Sequence, residues 1–405
     1  MVTRSSFGQR WLAVPLVLLM GSPSWAGFTI QDLGSPMPTG TSGAAAINAA
    51  GQSTGTATGP GVAAVAVIGS GPGSFQAVGA PGAVTSFGRA INLQGTIAGY
   101  EIDSSGIRHG FYAGAGQMTV LKPLEVGTLS GTYTVLGGIN DSGTAVGTGD
   151  IPGGANRAFT IGPGGSPTII APLGTGTFDS ASGINNKGMV VGTSETSPGG
   201  LQEAFITDPT GVATGLLDRN SAGNFRYNTY GTAIDDNSDV VGYGDVGSSE
   251  HAFFAPAQGG KLIDLGLPYY ATSSMANAVN DDGDVVGEVL YGPNPPGQPS
   301  SRAFLWSAST GMVDLNSLLL PSDQASWTLV SATGINDLGQ ISGQGYFDGA
   351  LQGFALTPIP GGSLFEPAVQ GVPGPPTLIL SALGLAIAAA GAGLRRGRTG
   401  GRAAA

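Results

Sequence analysis

Three acidic residues in a single turn are the first candidates for chemistry. Asp281, Asp282 and Asp284 lie within four positions of one another, and Ca²⁺ is bound in proteins by clustered carboxylate oxygens. Their spacing does not match an EF-hand loop, and a solvated turn explains the same residues without a ligand. The sequence therefore predicts no resident cofactor and no metal site, with Ca²⁺ as a weak candidate at these three positions.

Histidine, the most frequent acid–base residue in catalysis, occurs only twice. The two histidines, His109 and His251, each precede a small residue and a phenylalanine, which is more typical of a packing or turn position than of a catalyst. There is no nucleophile elbow, phosphate-binding loop or His-Glu-x-x-His segment. The chain has no cysteine, which excludes thiol chemistry. The sequence predicts no catalytic residue and a protein that is not an enzyme.

The three aspartates belong to a hairpin. A short apolar run ends at Asn280, a polar turn closes on Gly283, and a second apolar run leads to Gly287. Asn and Asp favour such turns because their side chains accept hydrogen bonds from nearby backbone N–H groups. Glycine supplies the positive φ that a turn with a bulge requires.

The hairpin occurs seven times, and we call the residue at the position of Asn280 the anchor. The anchors are Asn48, Asn92, Asn140, Asn185, Asp235, Asn280 and Asn336. Neighbouring anchors are 44 to 56 residues apart, a period typical of solenoids, propellers and arrays. A short aromatic strand and a strand that often ends in Asp-Leu recur with the hairpin. Each period therefore holds about four strands, the content of a propeller blade.

The two ends of the repeat region complement each other. The Asp-Leu strand at residues 28–33 has no aromatic strand before it, and the aromatic strand at 353–357 has no Asp-Leu strand after it. Closed propellers pair their first and last strands in one blade, whereas linear solenoids use distinct caps. The sequence predicts an all-β, seven-bladed β-propeller over residues 27–360, closed by these two strands. An open solenoid or a sandwich array is the alternative.

The recurrent phenylalanines are predicted to pack between neighbouring blades, since a large ring on a short strand buries much apolar area. They are Phe111, Phe159, Phe205, Phe253, Phe304 and Phe354. The repeat near residues 61–68 lacks this aromatic, so we expect its blade to be less regular. Variable loops at 218–228, 291–299 and 318–326 are expected to gather on the rims and to form the recognition surface.

The net charge of the chain limits which binding partners are compatible with it. The net charge is −11, and only 10% of the residues are charged. Six of the 15 basic residues lie in the terminal segments, whereas all 26 acidic residues lie between Asp32 and Glu366. Such a middle region repels nucleic acid and anionic lipid headgroups. Divalent cations and neutral glycans remain compatible with it, and we expect a monomer that binds no nucleic acid.

Residues 1–26 have the features of an export signal. Arg4 and Arg10 precede an apolar run over residues 11–20, and Ser24-Trp25-Ala26 forms a small-x-small cleavage site. Signal peptidase is expected to cleave after Ala26. An N-terminal membrane anchor is the alternative, but the apolar run is short and interrupted by Pro15.

The C-terminal region has three parts. Residues 361–376 are rich in Pro and Gly and predict an extended linker. Residues 377–394 carry no charge and are just long enough to span a thin bilayer as one transmembrane helix. The tail at 395–405 begins with Arg395, Arg396 and Arg398, which the positive-inside rule places in the cytoplasm. A plain C-terminal membrane anchor is one interpretation.

Two parts of the sequence resemble known families. The segments His251-Ala252-Phe253, Ile263-Asp264-Leu265-Gly266 and Val279 to Gly287 resemble the bacterial extracellular HAF repeat, which implies an exported repeat protein without established catalytic activity. A short motif, an apolar helix and an arginine cluster resemble the PEP-CTERM sorting signal. The usual Val-Pro-Glu-Pro is here Val372-Pro373-Gly374-Pro375. This resemblance implies processing by an exosortase and release toward the cell surface.

Three functions follow from the sequence. The first is a non-enzymatic protein of the cell surface or extracellular matrix, sorted through its C-terminal signal. The second is a propeller that binds a glycan or exopolysaccharide. The third is a hydrolase or lyase with its site on one propeller face. Polar residues converging on a central channel would favour the third function, and an aromatic rim pocket would favour the second.

Overall fold

β-Strands are the main regular structure of the residues that the structure describes. The computed structural model describes residues 25–78, 85–114, 117–126, 129–217, 225, 227–257, 262–292 and 300–360. The described helices are one short 3₁₀ turn, Leu315–Leu318, and the single-turn helix α1, Pro321–Gln324.

The strands are short and follow one another with few interruptions. In the first half of the chain they are β1 (Trp25–Asp32), β2 (Thr41–Ile47), β3 (Ser53–Gly59), β4 (Val62–Gly69), β5 (Gln76–Val78), β6 (Thr85–Ile91), β7 (Ile97–Ile102), β8 (Arg108–Gly114), β9 (Gln117–Val120), β10 (Glu125–Val126), β11 (Leu129–Ser130), β12 (Thr134–Ile139), β13 (Ala145–Asp150), β14 (Asn156–Ile161) and β15 (Thr168–Ile169). In the second half they are β16 (Asp179–Ile184), β17 (Val190–Glu195), β18 (Gln202–Thr207), β19 (Ala213–Gly215), β20 (Thr229–Ile234), β21 (Val240–Val246), β22 (Ser249–Ala255), β23 (Ile263–Gly266), β24 (Ala271–Val279), β25 (Val285–Tyr291), β26 (Ser301–Ser307), β27 (Gly311–Asp314), β28 (Trp327–Ile335), β29 (Ile341–Phe347) and β30 (Ala350–Pro360).

Four-stranded antiparallel units are the building block of the fold. Strands β2–β5, β6–β9, β12–β15 and β16–β19 each form one such sheet. Strands β20–β27 form two further units that are joined by a single parallel bridge between Glu250 and Ser273. Strands β10 and β11 pair only with each other. The repeat unit predicted from the sequence is therefore a four-stranded sheet, and the fold is propeller-like.

The remaining sheet joins the two ends of the repeat region. Its strand order is β1-β30-β29-β28, and β1 and β30 are paired from Phe28 with Pro358 to Asp32 with Phe354. Residues 28–33 and 353–357 were predicted to share a sheet, and they do. The register shifts between Trp25 and Phe28, so the continuous pairing begins two residues after the predicted cleavage site at Ala26.

A bulge recurs in the hairpin of every unit. We call the first strand of each unit, which ends at the anchor, the inner strand. In the third hairpin the register between β12 and β13 shifts between Leu136 and Gly138, and Gly147 lies opposite the bulge. A side chain at Gly147 would overlap the carbonyl oxygen of Val135. This close approach explains the glycine that follows each turn glycine by four residues.

The recurrent phenylalanines fill the cores between units. Phe253 is fully buried and packs in one cluster with Val191 and Ala204 of the preceding unit. Phe205 is placed in the same way against Val146 and Ala158. The prediction that these rings pack between neighbouring units is confirmed. Aromatic rings at this position bury a large area and set how closely two sheets approach.

The unit that lacks the recurrent aromatic is completed from elsewhere in the chain. Val67 takes the position across from Gly55 that phenylalanine takes in the other units. Phe75, which lies just before β5, is buried in the same cluster together with Leu33. This unit therefore differs from the others in that its buried aromatic ring, Phe75, comes from the segment before β5 and not from the second hairpin strand's neighbour β4. Its four strands pair as in the other units.

The predicted terminal segments lie outside the described residues, except that Trp25 and Ala26 of the export signal begin β1. These are the export signal before residue 25 and the linker, apolar segment and basic tail from residue 361 onward, including Val372, Pro373, Gly374, Pro375, Arg395, Arg396 and Arg398. Within the ranges that the structure describes, no helix has the length and apolar character needed to cross a membrane.

Candidate functional site

The inner strands together form a cavity of about 830 Å³. All seven inner strands line it, and we call it the wide cavity. Its lining is rich in hydroxyl groups, from Ser42, Thr56, Thr148, Ser182 and others. Hydroxyls both donate and accept hydrogen bonds, so this surface suits a ligand that carries many hydroxyls itself.

Several polar side chains of this cavity also join neighbouring units. The hydroxyl of Thr232 donates to the carbonyl of Ala276, at 2.7 Å. The hydroxyl of Thr333 donates to the carbonyl of Ala44, at 2.8 Å, and so connects the last unit to the first. The amide of Asn277 donates to the carbonyl of Ala332, at 2.9 Å. These bonds fix the lining because both partners of each bond lie on packed strands.

Two arginines line one side of the wide cavity. Arg89 on β6 and Arg108 on β8 are both exposed, and no carboxylate among the described residues lies within ion-pair distance of either. The guanidinium carbon of Arg108 lies 6.0 Å from the ring centre of Tyr100, which in turn stacks on Phe87 with ring centres 4.8 Å apart. A guanidinium over a tyrosine ring is held by cation–π attraction.

Among the described lining residues of the cavity, groups that bind a ligand outnumber acid–base groups, of which Tyr100 is one. Hydroxyls, amides, backbone groups and the two arginines line it, and none of its lining residues in the described ranges is Asp, Glu, His or Cys. General acid–base catalysis needs a titratable group within hydrogen-bond reach of the substrate. Polar residues thus converge on this cavity, the feature expected above of a hydrolase or lyase, and the described lining holds no pair of carboxylates and no carboxylate–imidazole pair.

A smaller cavity of about 230 Å³ lies where the inner strands end, and we call it the narrow cavity. It is lined by the anchor of each unit together with the residues immediately before and after it. Each anchor asparagine accepts backbone hydrogen bonds within its own turn; Asn185, for instance, accepts from the N–H groups of Lys187 and Met189, at 3.1 and 2.9 Å.

The anchor amides also bond from unit to unit. The Nδ2 of each anchor asparagine donates to the carbonyl of the next anchor, over distances from 2.8 to 3.2 Å. The donor–acceptor pairs are Asn48 to Asn92, Asn92 to Asn140, Asn140 to Asn185, Asn185 to Asp235, Asn280 to Asn336, and Asn336 to Asn48. The series returns to the residue at which it began, and it is interrupted at one place, between Asp235 and Asn280.

Asp235 causes the interruption because a carboxylate has no N–H donor. Its Oδ1 accepts from the backbone N–H of Asp239, at 2.7 Å, as the asparagines do in their turns. Its Oδ2 is buried without a hydrogen-bond partner. Burial raises the pKa of Asp235 to about 7, and the charges of Asp239 and Asp281 add to the rise.

A second series of hydrogen bonds runs through the residues that follow the anchors. The side-chain oxygen of each accepts from the backbone N–H of its counterpart in the preceding unit, over 2.7 to 3.0 Å. The acceptors are Asp141, Asn186, Asp236, Asp281 and Asp337. Four carboxylates are thereby brought to one end of the inner strands, beside the narrow cavity.

The three candidate calcium ligands serve different purposes. Asp281 belongs to the series just described, and burial together with the charges of Asp337 and Asp236 raises its pKa. Asp282 is exposed in the turn, whereas Asp284 is buried and its pKa is raised by burial to about 6. No group of three acidic, His or Cys side chains in the described part of the chain is placed to hold a metal ion.

The histidines of the aromatic strands form structural pairs. His251 contacts Asp264 of the Asp-Leu strand, at 2.8 Å, and His109 contacts Asp103, at 3.1 Å. Arg302 takes the position of His251 in its unit and pairs with Asp314, at 2.8 Å. A histidine or an arginine thus ties the aromatic strand to an aspartate.

The structure reveals two features that the sequence did not lead us to expect. One is the bond between anchors, for which the recurrence of Asn rather than Asp or Ser at six of seven positions was an available signal. The other is the group of Arg89, Arg108 and Tyr100, which no motif marks. The rim loops predicted as a recognition surface fall largely outside the described residues, at 218–224 and 293–299. The third of these loops contains α1.

Comparisons with known proteins identify a region of similarity but no activity. Residues 175–352 match a family described as a protein of unknown function, DUF3466. No curated protein matches the sequence.

Several solved structures resemble the fold. TolB from Acinetobacter baumannii is 12% identical, with 66% of this chain and 64% of that chain covered and a TM-score of 0.40. An oligogalacturonate lyase from Vibrio parahaemolyticus is 9% identical, with coverages of 83% and 98% and a TM-score of 0.48. A prolyl endopeptidase is 11% identical, with coverages of 84% and 51% and a TM-score of 0.48. At such identities these likenesses concern the fold alone.

Proposed function

We propose that this chain is an exported, non-enzymatic β-propeller that binds carbohydrate in its wide cavity. The observation that carries the proposal is the lining of that cavity, where hydroxyls, amides and two arginines converge without a carboxylate or imidazole among the described lining residues. Such a surface can satisfy the many hydroxyls of a sugar, and it lacks the acid–base pair that hydrolysis of a glycosidic bond requires.

The proposed architecture is a closed ring of seven blades. Support comes from the pairing of β1 with β30 and from the anchor hydrogen bonds, which lead from Asn48 through successive units and back to Asn48. The inner strands then surround a central channel, of which the wide and narrow cavities are two parts. Ligand sites in β-barrels and in other closed β folds are commonly found at such mouths.

The proposed cellular location rests on the two terminal segments of the sequence. Signal peptidase would cleave after Ala26, and an exosortase would process the motif at residues 372–375. The body at residues 27–360 would then be presented at the cell surface or in the extracellular matrix, where it would act as a monomer.

Glycan-array binding by the full-length chain tests this proposal. The matched variants are Thr56→Val with Thr148→Val, which remove two hydroxyls from the cavity lining at nearly constant shape, and Thr119→Val with Thr214→Val, which do the same on exposed outer strands. We expect binding of at least one glycan that is weakened by the cavity pair and unchanged by the outer pair. A folded protein that binds no glycan would refute the proposal and favour a purely structural role.

A further inference from the structure

We infer that the wide cavity selects glycans that carry carboxylate groups, such as hexuronic acids; this inference rests on the proposed function. Arg89 and Arg108 are the basis for it, because both line the cavity. The chain as a whole is acidic, with a net charge of −11. Two arginines without an ion-pair partner among the described residues therefore make this cavity locally positive in an acidic chain.

The other arginines of the described ranges show the contrast. Arg157 pairs with Asp179, and Arg302 pairs with Asp314, each at 2.8 Å. These two pairs join strands and are used by the fold itself. Arg89 and Arg108 have no such partner among the described residues, so their guanidinium donors are available to a ligand.

Tyr100 acts as a positioning residue for Arg108. Its ring lies 6.0 Å from the guanidinium carbon and is itself fixed by stacking on Phe87. Arg108 is also close enough to Tyr133 to oppose the rise that burial and the charge of Asp150 cause in the pKa of that tyrosine. A guanidinium held over an aromatic ring loses less freedom on binding than a free side chain does.

Charge changes sign along the inner strands. Arg89 lies on β6, four residues before Leu93, and the backbone N–H of Leu93 donates to Asp141 at the other end of the strands. Asp236, Asp281 and Asp337 are placed at that same end. An anionic ligand is attracted by the arginine side and repelled by the carboxylate side, so it is held in the wide cavity.

A carboxylated sugar fits this cavity better than other anions. A carboxylate accepts two parallel hydrogen bonds from one guanidinium, and the remaining lining hydroxyls match the hydroxyls of a sugar ring. A nucleic acid would need many cations along its backbone, and the cavity provides two. An acidic peptide would use the arginines but would leave the hydroxyl lining without matching partners.

Calorimetric titration of the full-length chain tests the inference. The probes are an alginate hexasaccharide, the same hexasaccharide with its carboxyl groups reduced to alcohols, and a hexaglutamate peptide. The variants are Arg89→Gln, Arg108→Gln and their combination. The matched control is Lys122→Gln with Lys187→Gln. It also removes two positive charges, but from exposed positions outside the wide cavity.

We expect the acidic hexasaccharide to bind at least about tenfold more tightly than the reduced one, and each arginine variant to lose about tenfold, since hydrogen bonds to charged groups are individually strong. The lysine control should change affinity less than about twofold. Tyr100→Leu should weaken acidic binding, and Tyr100→Phe should restore it because the ring is kept. Thermal unfolding of every variant establishes that it is folded.

Four results would overturn the inference in distinguishable ways. Equal affinity for the acidic and reduced sugars would refute acid selection and leave carbohydrate binding intact. Tighter binding of hexaglutamate with the same arginine dependence would refute the glycan as ligand. Loss of affinity in the lysine control equal to that in the arginine pair would show that net charge, rather than this site, attracts the sugar. Absence of binding to any glycan would refute the proposed function as well.

Discussion

Replacing Asp235 by asparagine should stabilise the protein, and by more at high pH than at low pH. Asparagine at this anchor supplies the missing Nδ2 donor, and the carbonyl of Asn280 is the acceptor that the series lacks. In the other six units this bond spans 2.8 to 3.2 Å. The variant also removes a carboxylate oxygen that is buried without a partner.

The magnitude follows from the shifted pKa. A carboxyl group whose pKa is about 7 in the folded protein and about 3.9 in the unfolded chain lowers stability by at most about 4 kcal/mol above pH 7. Because the folded pKa is the higher one, stability from this group is fully present below about pH 4 and is lost as the pH rises through 7. The new hydrogen bond adds about 1 kcal/mol at any pH.

The asparagine variant is therefore expected to gain stability that grows by roughly 2–3 kcal/mol between pH 5 and pH 8. Urea unfolding midpoints of both proteins at these two pH values measure the gain. Asp236→Asn is the control, since it removes a charge from the adjacent position. It keeps the Oδ1 acceptor for the backbone N–H of Asn186 and loses only the Oδ2 acceptor of the exposed Asn186 side chain. A gain that is absent at pH 8, or that is the same at both pH values, would refute this account of the interruption.

Three other predictions concern the packing and the turns. Phe253→Ala should cost about 3–5 kcal/mol of unfolding free energy, because the ring fills the core between two units. Truncation of the partly exposed Phe178 to alanine is the control and should cost less than about 1 kcal/mol. Comparable losses in the two variants would contradict the packing role. Gly147→Ala should lower the midpoint of thermal unfolding, because the new methyl group would overlap the Val135 carbonyl. Gly162→Ala should leave the midpoint unchanged, because its methyl group meets no other atom. An unchanged midpoint in Gly147→Ala would show that the bulge can relax. Removing Ca²⁺ with EDTA should leave the midpoint of thermal unfolding unchanged, since no metal-binding group of three side chains is found in the described ranges. If added Ca²⁺ raises the midpoint, and the Asp281→Ala substitution lowers it, the calcium hypothesis is restored.

The repeat and its strands could be predicted because their determinants are local. An Asn, a turn glycine and a second glycine at fixed offsets specify a bulged hairpin wherever they occur. The complementary end strands then required only the rule that closed sheets leave no open edge. The pairing of Phe28 with Pro358 and its neighbours follows from that rule.

The bonds between units could not be predicted in the same way. The turn alone accounts for Asn140, because its Oδ1 accepts from the backbone of Thr144. Its second role depends on where the next unit places the carbonyl of Asn185, and that position is set by the packing of two sheets. Arg89 and Arg108 illustrate the same limit, since they lie on different strands and are related only because both line one cavity.

The position of β30 determines how the body would respond to a pull on its C-terminal end. This strand has 11 residues. It pairs with β29 from Ala350 to Leu356 and with β1 from Phe354 to Pro358 and at Pro360. Tension applied beyond Pro360 acts along the strand, so its two ladders would be loaded in shear, with many bonds sharing the force. A body held at its last strand in this manner resists extraction more strongly than one held by a strand at an open edge, which would peel away one bond at a time.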